Sequence, residues 1–469
     1  MTRSDNLWLE RFSPIISNRD EIRRRALVKA ETILDLDVTP VEQATETLKR
    51  GLERVHHVSS QELELLLMFV QRGHAYSQIA YPDESTFVGR LQSESLDLGS
   101  FDPTCLSGLA GTGKTALFGA LQRVLPSDSS FQLGAEFRQS FELVASSRIV
   151  VRSKSGLGDV LSPLLPADAQ PLRRRLVNGI EVAVKSRYAL PEMVRLASKS
   201  CYARGHSINL LDEMQFAAQS ASANTKPAQM IMTMSYLPPP LICAINYSLC
   251  HRLLKRPQEE RDRMLASPEV LLPDAPGSPD VLALLSEFDV VASDVLGFKL
   301  VEEASRIFGM TANVKRKIRQ LLTRGYRLYR ESGAKKLTMD HLISAFKEPK
   351  YFAMREDVEV ILSQAISGKP VRGKQALWCP FGVEFNTVPS TVRVISALRE
   401  ERVQADLLRQ SMTARERKQD SASEVAKSRP KSRMGTGGKI VKLQTRNQMD
   451  AKGLLQNTLD HRNAPKTPR

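Results

Sequence analysis

Residues 105–122 read CLSGLAGTGKTALFGALQ, and within them Gly108-Leu109-Ala110-Gly111-Thr112-Gly113-Lys114-Thr115 fits the phosphate-loop pattern G-x-x-x-x-G-K-[ST]. A short apolar run before the octet predicts a strand. The Ala/Leu-rich stretch from Ala116 onward predicts a helix. Gly108, Gly111 and Gly113 let the backbone curl so that successive N–H groups face one anion, and the helix that follows adds its positive end. Lys114 is expected to reach the β- and γ-phosphates of a nucleotide, and the Thr115 hydroxyl to bind Mg²⁺. A glycine-rich turn with a chance lysine would lack this frame of strand and helix.

Two further elements complete the expected site. HSINLLDEMQ (206–215) is an apolar strand ending in Asp212-Glu213. Neighbouring side chains on a strand point to opposite faces, so the two acids are free to do different jobs. Asp212 is placed to hold the magnesium shell, and Glu213 to polarise an attacking water. PPPLICAIN (238–246) is a second buried strand, ending in Asn246, whose amide would orient that water. The competing reading of Asn246 is a residue of the next turn, N-Y-S.

The chain has 469 residues and a net charge of +15, and from Glu401 to Arg469 it carries 16 Lys/Arg against 7 Asp/Glu. Such a balance suggests a polyanionic partner. No apolar run is long enough to span a bilayer, and MTRSDNLWLERFSP lacks the apolar centre of a signal peptide. Together with five cysteines lacking CxxC spacing, this predicts a cytoplasmic chain with reduced thiols. His56–His57 has no third ligand nearby and reads as a helix-end or surface pair.

Five strands are predicted, TCLSG, RIVVRS, SINLLDE, PLICAIN and SPEVLLP, alternating with helices as in a parallel α/β sheet. The expected divisions are an N-terminal helical partner-binding region over 1–90, a nucleotide-binding core over 91–280, and a helical lid over 281–350. A C-terminal appendage over 351–410 and a basic disordered tail over 411–469 follow.

The series of P-loop, Asp-Glu strand, polar-ended strand and helical lid resembles the AAA+ ATPases over roughly residues 95–348. The resemblance implies an ATP- and Mg²⁺-dependent ATPase whose site is completed by a neighbouring subunit's arginine. Arg261 and Arg263, ahead of Arg256, are the candidates in KRPQEERDRMLASPEV (255–270). It also implies a lid residue on the nucleotide. Many relatives have an arginine there, whereas this chain has Asn313 and then Lys315-Arg316; Lys315 is taken as the nucleotide-binding residue. The lid helix carries nine bases between Lys315 and Lys336 against one acid, Glu331. That pattern suits either a solvated face or a surface for DNA or a partner.

The finer pattern looks like the transposition regulators of the TnsC/TniB type, in YPDESTFVGRLQSESLDLGSFDPTCLSGLAGTGKTAL (81–117), IVVRSKSGLGDVLSPLL (149–165) and NTKPAQMIMTMSYLPPPLICAINYSLCHRLLKR (224–256). This resemblance implies a prokaryotic, nucleoid-associated homo-oligomer, a ring or filament on double-stranded DNA. It would link a TniQ/TnsD-type target selector to a DDE transposase, with hydrolysis driving disassembly. Arg152, Lys154 and Lys226 are the candidate contacts to the DNA backbone. Two other readings use the same motifs: a DNA remodeller of the helicase or clamp-loader type, and a signalling scaffold that holds nucleotide without hydrolysing it.

Overall fold

The computed structural model describes residues 6–383, apart from 94–95, 97, 100, 126–128, 133–139, 154, 167–168, 170–174, 178–179, 183–187 and 219–224, together with residue 400. The expected tail and residues 384–399 and 401–410 of the expected appendage therefore lie outside the described residues.

The five predicted strands form one sheet: β1 (Thr104–Gly108), β2 (Ser146–Val150), β3 (Ile208–Asp212), β4 (Leu241–Asn246) and β5 (Ser267–Leu271). Their order is β2-β3-β4-β1-β5, and every pairing is parallel. β1, β3 and most of β4 are buried on both faces, as their unbroken apolar runs require. The sense of strand progression reverses at β1, and open α/β sheets bind ligands outside the carboxyl ends of strands at such a point. The register puts Gly108 beside both Asn246 and Leu271, so the phosphate loop leaves the sheet next to the polar end of β4.

The helices used below are α1 (Arg19–Ala26), α2 (Val41–Arg54), α3 (Ser60–Ala80), α4 (Lys114–Val124), α5 (Thr225–Ser235), α6 (Tyr247–Leu253), α7 (Gln258–Met264), α8 (Pro279–Val291), α9 (Lys315–Ser332), α10 (Met339–Lys347) and α11 (Phe352–Ser367). Asn246 occupies the N-cap position of α6. Ser59 caps α3 through a reciprocal box with Glu62, as Ser-x-x-Glu ahead of an apolar run predicts. α9 is strongly amphipathic and ends at Gly333 in the left-handed conformation.

The N-terminal helical region expected over 1–90 packs into two separate apolar cores. Phe12, Ile22, Leu66 and Phe69 share one apolar core with Leu106, Leu117 and Ile208 of the sheet layer. Leu36, Leu48 and Leu52 share another with Leu285, Ile318, Leu322 and Leu342 of the lid. Residues 1–90 are therefore divided between the core and the lid, and the chain crosses from one to the other near His56. There Val28 and His56 exchange backbone hydrogen bonds, and His57 lies 4.0 Å from Asp280. All five cysteines are free and buried. No helix among the described residues is long and apolar enough to cross a membrane.

Candidate nucleotide site

The loop is shaped by its glycines. Gly111 and Gly113 have φ of +93° and +119°, values that carry strain for any residue with a Cβ. Gly108 has a different reason: a Cβ there would lie 2.5 Å from the Leu271 carbonyl oxygen of the adjoining strand. Leu109 turns into an apolar cluster with Tyr247, Val314 and Cys379, and the buried Thr112 hydroxyl donates to the Leu109 carbonyl at 3.1 Å. Gly108, Leu109 and Thr112 thus hold the loop. Ala110, Gly111, Gly113, Lys114, Thr115 and Ala116 line a cleft of about 1130 Å³.

Lys114 is buried, and its ammonium donates to the carbonyls of Gly108 at 2.9 Å and Leu109 at 2.8 Å. Burial pushes its pKa down to about 8. Across the cleft, the Thr115 hydroxyl donates to Asp212 Oδ1 at 3.2 Å and lies 3.4 Å from Glu213 Oε1. Asp212 is only 1% exposed. Its Oδ1 also accepts from the Glu213 amide at 2.8 Å, and its Oδ2 from Arg148 Nη2 at 2.7 Å. Glu213 sits at φ +59°, a left-handed conformation unusual for glutamate, and Gln215 Nε2 donates to its carboxylate. Asn246 lines the same cleft.

These residues suit a magnesium–nucleotide pair. The loop provides a glycine cradle without side chains, an ammonium at its centre, and a hydroxyl paired with a carboxylate, oxygen donors of the kind that magnesium takes.

The lid contribution differs from expectation by one residue. Lys315 does not line the cleft; its ammonium is bound to Glu62 Oε1 at 2.8 Å. Arg316 and Arg319 line it instead. The other bases of α9 are largely engaged within the chain. Lys317 bonds Asp357, Arg324 bonds Glu348, Arg327 pairs with Glu42 and Glu331, and Arg330 donates to the carbonyls of Leu36 and Thr39. Both readings of this basic helix, a solvated face and a surface for DNA or a partner, thus meet bases already paired within the chain, and Arg324 and Arg327 also line the cleft.

The remaining candidates lie apart from the cleft lining. Arg261 pairs with Asp262 at 3.0 Å, Arg256 with Glu260 at 2.7 Å, and Arg263 stacks over the exposed Tyr236 ring at 4.3 Å. Arg152 is exposed after β2, and Lys226 is half-buried in α5. Lys154 lies outside the described residues. Sequence reasoning missed Arg148 and Gln215. Arg148 interrupts an apolar strand, a weak sign of a buried partner, and Gln215 stands two residues beyond an identified acid.

Sheet order, phosphate loop and lid define the class of fold: an α/β P-loop core, a parallel five-stranded sheet with the phosphate loop after β1 and a helical lid beside it. No protein-family profile and no curated protein matches the chain. Among solved structures, it is similar to the Orc1 protein of Aeropyrum pernix in complex with DNA, at 14% identity and a TM-score of 0.32, covering 82% of this chain and 87% of that one. It is also similar to Cdc6p of Pyrobaculum aerophilum, at 13% identity and TM-score 0.38, covering 79% and 91%. A third is the RuvB Holliday junction branch migration motor of Thermotoga maritima, at 14% identity and TM-score 0.32, covering 67% and 86%.

Proposed function

We propose that the protein is an ATP-hydrolysing switch that assembles on double-stranded DNA and regulates transposition, joining a target selector to a DDE transposase. The observation that carries the hydrolytic part is the convergence of Lys114, Thr115, Asp212, Glu213 and Asn246 on one cleft. Lys114 would bind the outer phosphates, leaving the loop carbonyls it now holds. Thr115 and Asp212 would hold magnesium, which supplies charge neutralisation at the phosphates when bound. Glu213, held by Gln215, would accept the proton of the attacking water, and Asn246 would orient that water. Arg316 would approach the phosphates from the lid.

Arg256, Arg261 and Arg263 are not among the residues lining the chain's own cleft, consistent with one of them serving a neighbouring copy. The net charge of +15 and the exposed Arg152 suit a backbone-reading contact with DNA. The transposition reading rests on the TnsC/TniB resemblance. Apart from that resemblance, the N-terminal helices would dock the selector and the C-terminal appendage with its basic tail the transposase, so a truncation at 410 keeps ATPase activity and loses recruitment.

Glu213→Gln tests the switch. The variant is expected to bind ATP, to lose hydrolysis by about 100-fold or more, and to stay locked in its ATP-bound assembly. A variant that hydrolyses ATP at the wild-type rate, or releases its assembly as the wild type does, sinks the reading in favour of a scaffold.

A further inference from the structure

The first turn of α9 meets the phosphate loop twice, with adjacent residues in different roles. On one side the Arg316 amide donates to the Gly111 carbonyl at 3.1 Å. Arg316 also fills the space beside that glycine, since a Cβ on Gly111 would lie 2.6 Å from its own. On the other side Lys315 reaches Glu62 at 2.8 Å. This ion pair rests against Gly113, where a Cβ would lie 3.3 Å from Glu62 Oε1 and 3.5 Å from Lys315 Cδ.

Both ends of the pair are anchored. Glu62 is fully buried, and its other oxygen accepts from the Ser59 amide at 3.2 Å, which fixes the carboxylate at the start of α3. α3 packs into the sheet layer, whereas α9 packs into the lid. Close by, Asn313 Nδ2 donates to the Asp274 carbonyl at 2.9 Å and draws in the chain segment that joins core to lid. A buried ion pair adds little net stability over an apolar substitute, but half of one is costly. Its best-attested use is to specify a single register. Register matters here because successive helix residues differ by about 100° around the axis, enough to exchange the directions of Lys315 and Arg316.

We propose that Glu62 and Lys315 are positioning residues that set the register of the lid on the phosphate loop, so that Arg316 faces the nucleotide's phosphates and Lys315 does not. The proposal rests on the nucleotide-binding reading above. It makes the N-terminal helix α3 a working part of the nucleotide response.

The test compares ATP–magnesium binding by titration calorimetry for the full chain and for Lys315→Met, Glu62→Gln, the double variant and Lys315→Arg. Amide exchange over residues 315–319 is measured without nucleotide. Each charge-removing single variant is expected to weaken ATP binding about tenfold, and the double variant no further than the weaker single, because the two residues act as one unit. Lys315→Arg restores most of the affinity, and exchange over the first turn of α9 rises in both single variants.

Additive losses overturn the proposal, as does a Lys315→Met protein that melts earlier but binds ATP normally. If Lys315→Met weakens binding while Glu62→Gln leaves it intact, Lys315 touches the nucleotide directly and the proposal also falls. If the wild-type chain binds no nucleotide, the functional reading fails. The exchange measurement still decides on the register: protection unchanged in Lys315→Met overturns it.

Discussion

Arg148 donates to Asp212 Oδ2 at 2.7 Å, so a cation already occupies one face of the carboxylate proposed for magnesium. The other oxygen is shared by Thr115 and the Glu213 amide. The aspartate is thus held in place before any metal arrives, at the expense of a competing positive charge. Arg148→Met is expected to lower the magnesium concentration for half-maximal ATP binding about threefold or more, because the repulsion is removed at short range. A magnesium titration at fixed ATP measures this. An unchanged or higher requirement would show that fixing Asp212 matters more than the repulsion.

Gly111 makes a different prediction. Its φ of +93° and the 2.6 Å approach of Arg316 leave no room for a side chain. Gly111→Ala is expected to lose about 2 kcal/mol of stability, since an L-residue there carries left-handed strain of about 1–2 kcal/mol in addition to the contact. Thermal unfolding with and without ATP checks it. The ATP-induced rise in Tm should shrink as well, because the lid can no longer seat on the loop.

The buried lysine predicts a pH dependence. Burial lowers Lys114 from 10.5 to about 8, while bound phosphates favour its charged form and raise it again. Below pH 8 the lysine is charged in both states and ATP affinity is flat. From pH 8 upward the free protein loses its proton first, binding must take one up, and affinity falls. Calorimetry in buffers of different ionisation heat should detect that uptake near pH 9. Lys114→Met should weaken binding and abolish the slope.

Much of this was legible in the sequence, for local reasons. The apolar runs of β1, β3 and β4 stand out because these strands are buried on both faces, and the octet 108–115 has a spacing that phosphate binding demands. What escaped depends on contacts between distant segments. Lys315 and Glu62 are 253 residues apart, and nothing near either residue announces the other. Choosing Lys315 over Arg316 missed by one position, which on a helix means another face. The N-terminal helices read as a separate region because their apolar stripes do not say which core they join.

In the proposed function, nucleotide state controls assembly on DNA. Binding of the full chain to a labelled random-sequence duplex, with ATP–magnesium, ADP or no nucleotide across a salt series, tests it most directly. Tight, cooperative binding is expected with ATP–magnesium alone, weakening steeply with salt as phosphate contacts release counterions. Equal binding in all three states would contradict it and leave the +15 charge as a passive attraction.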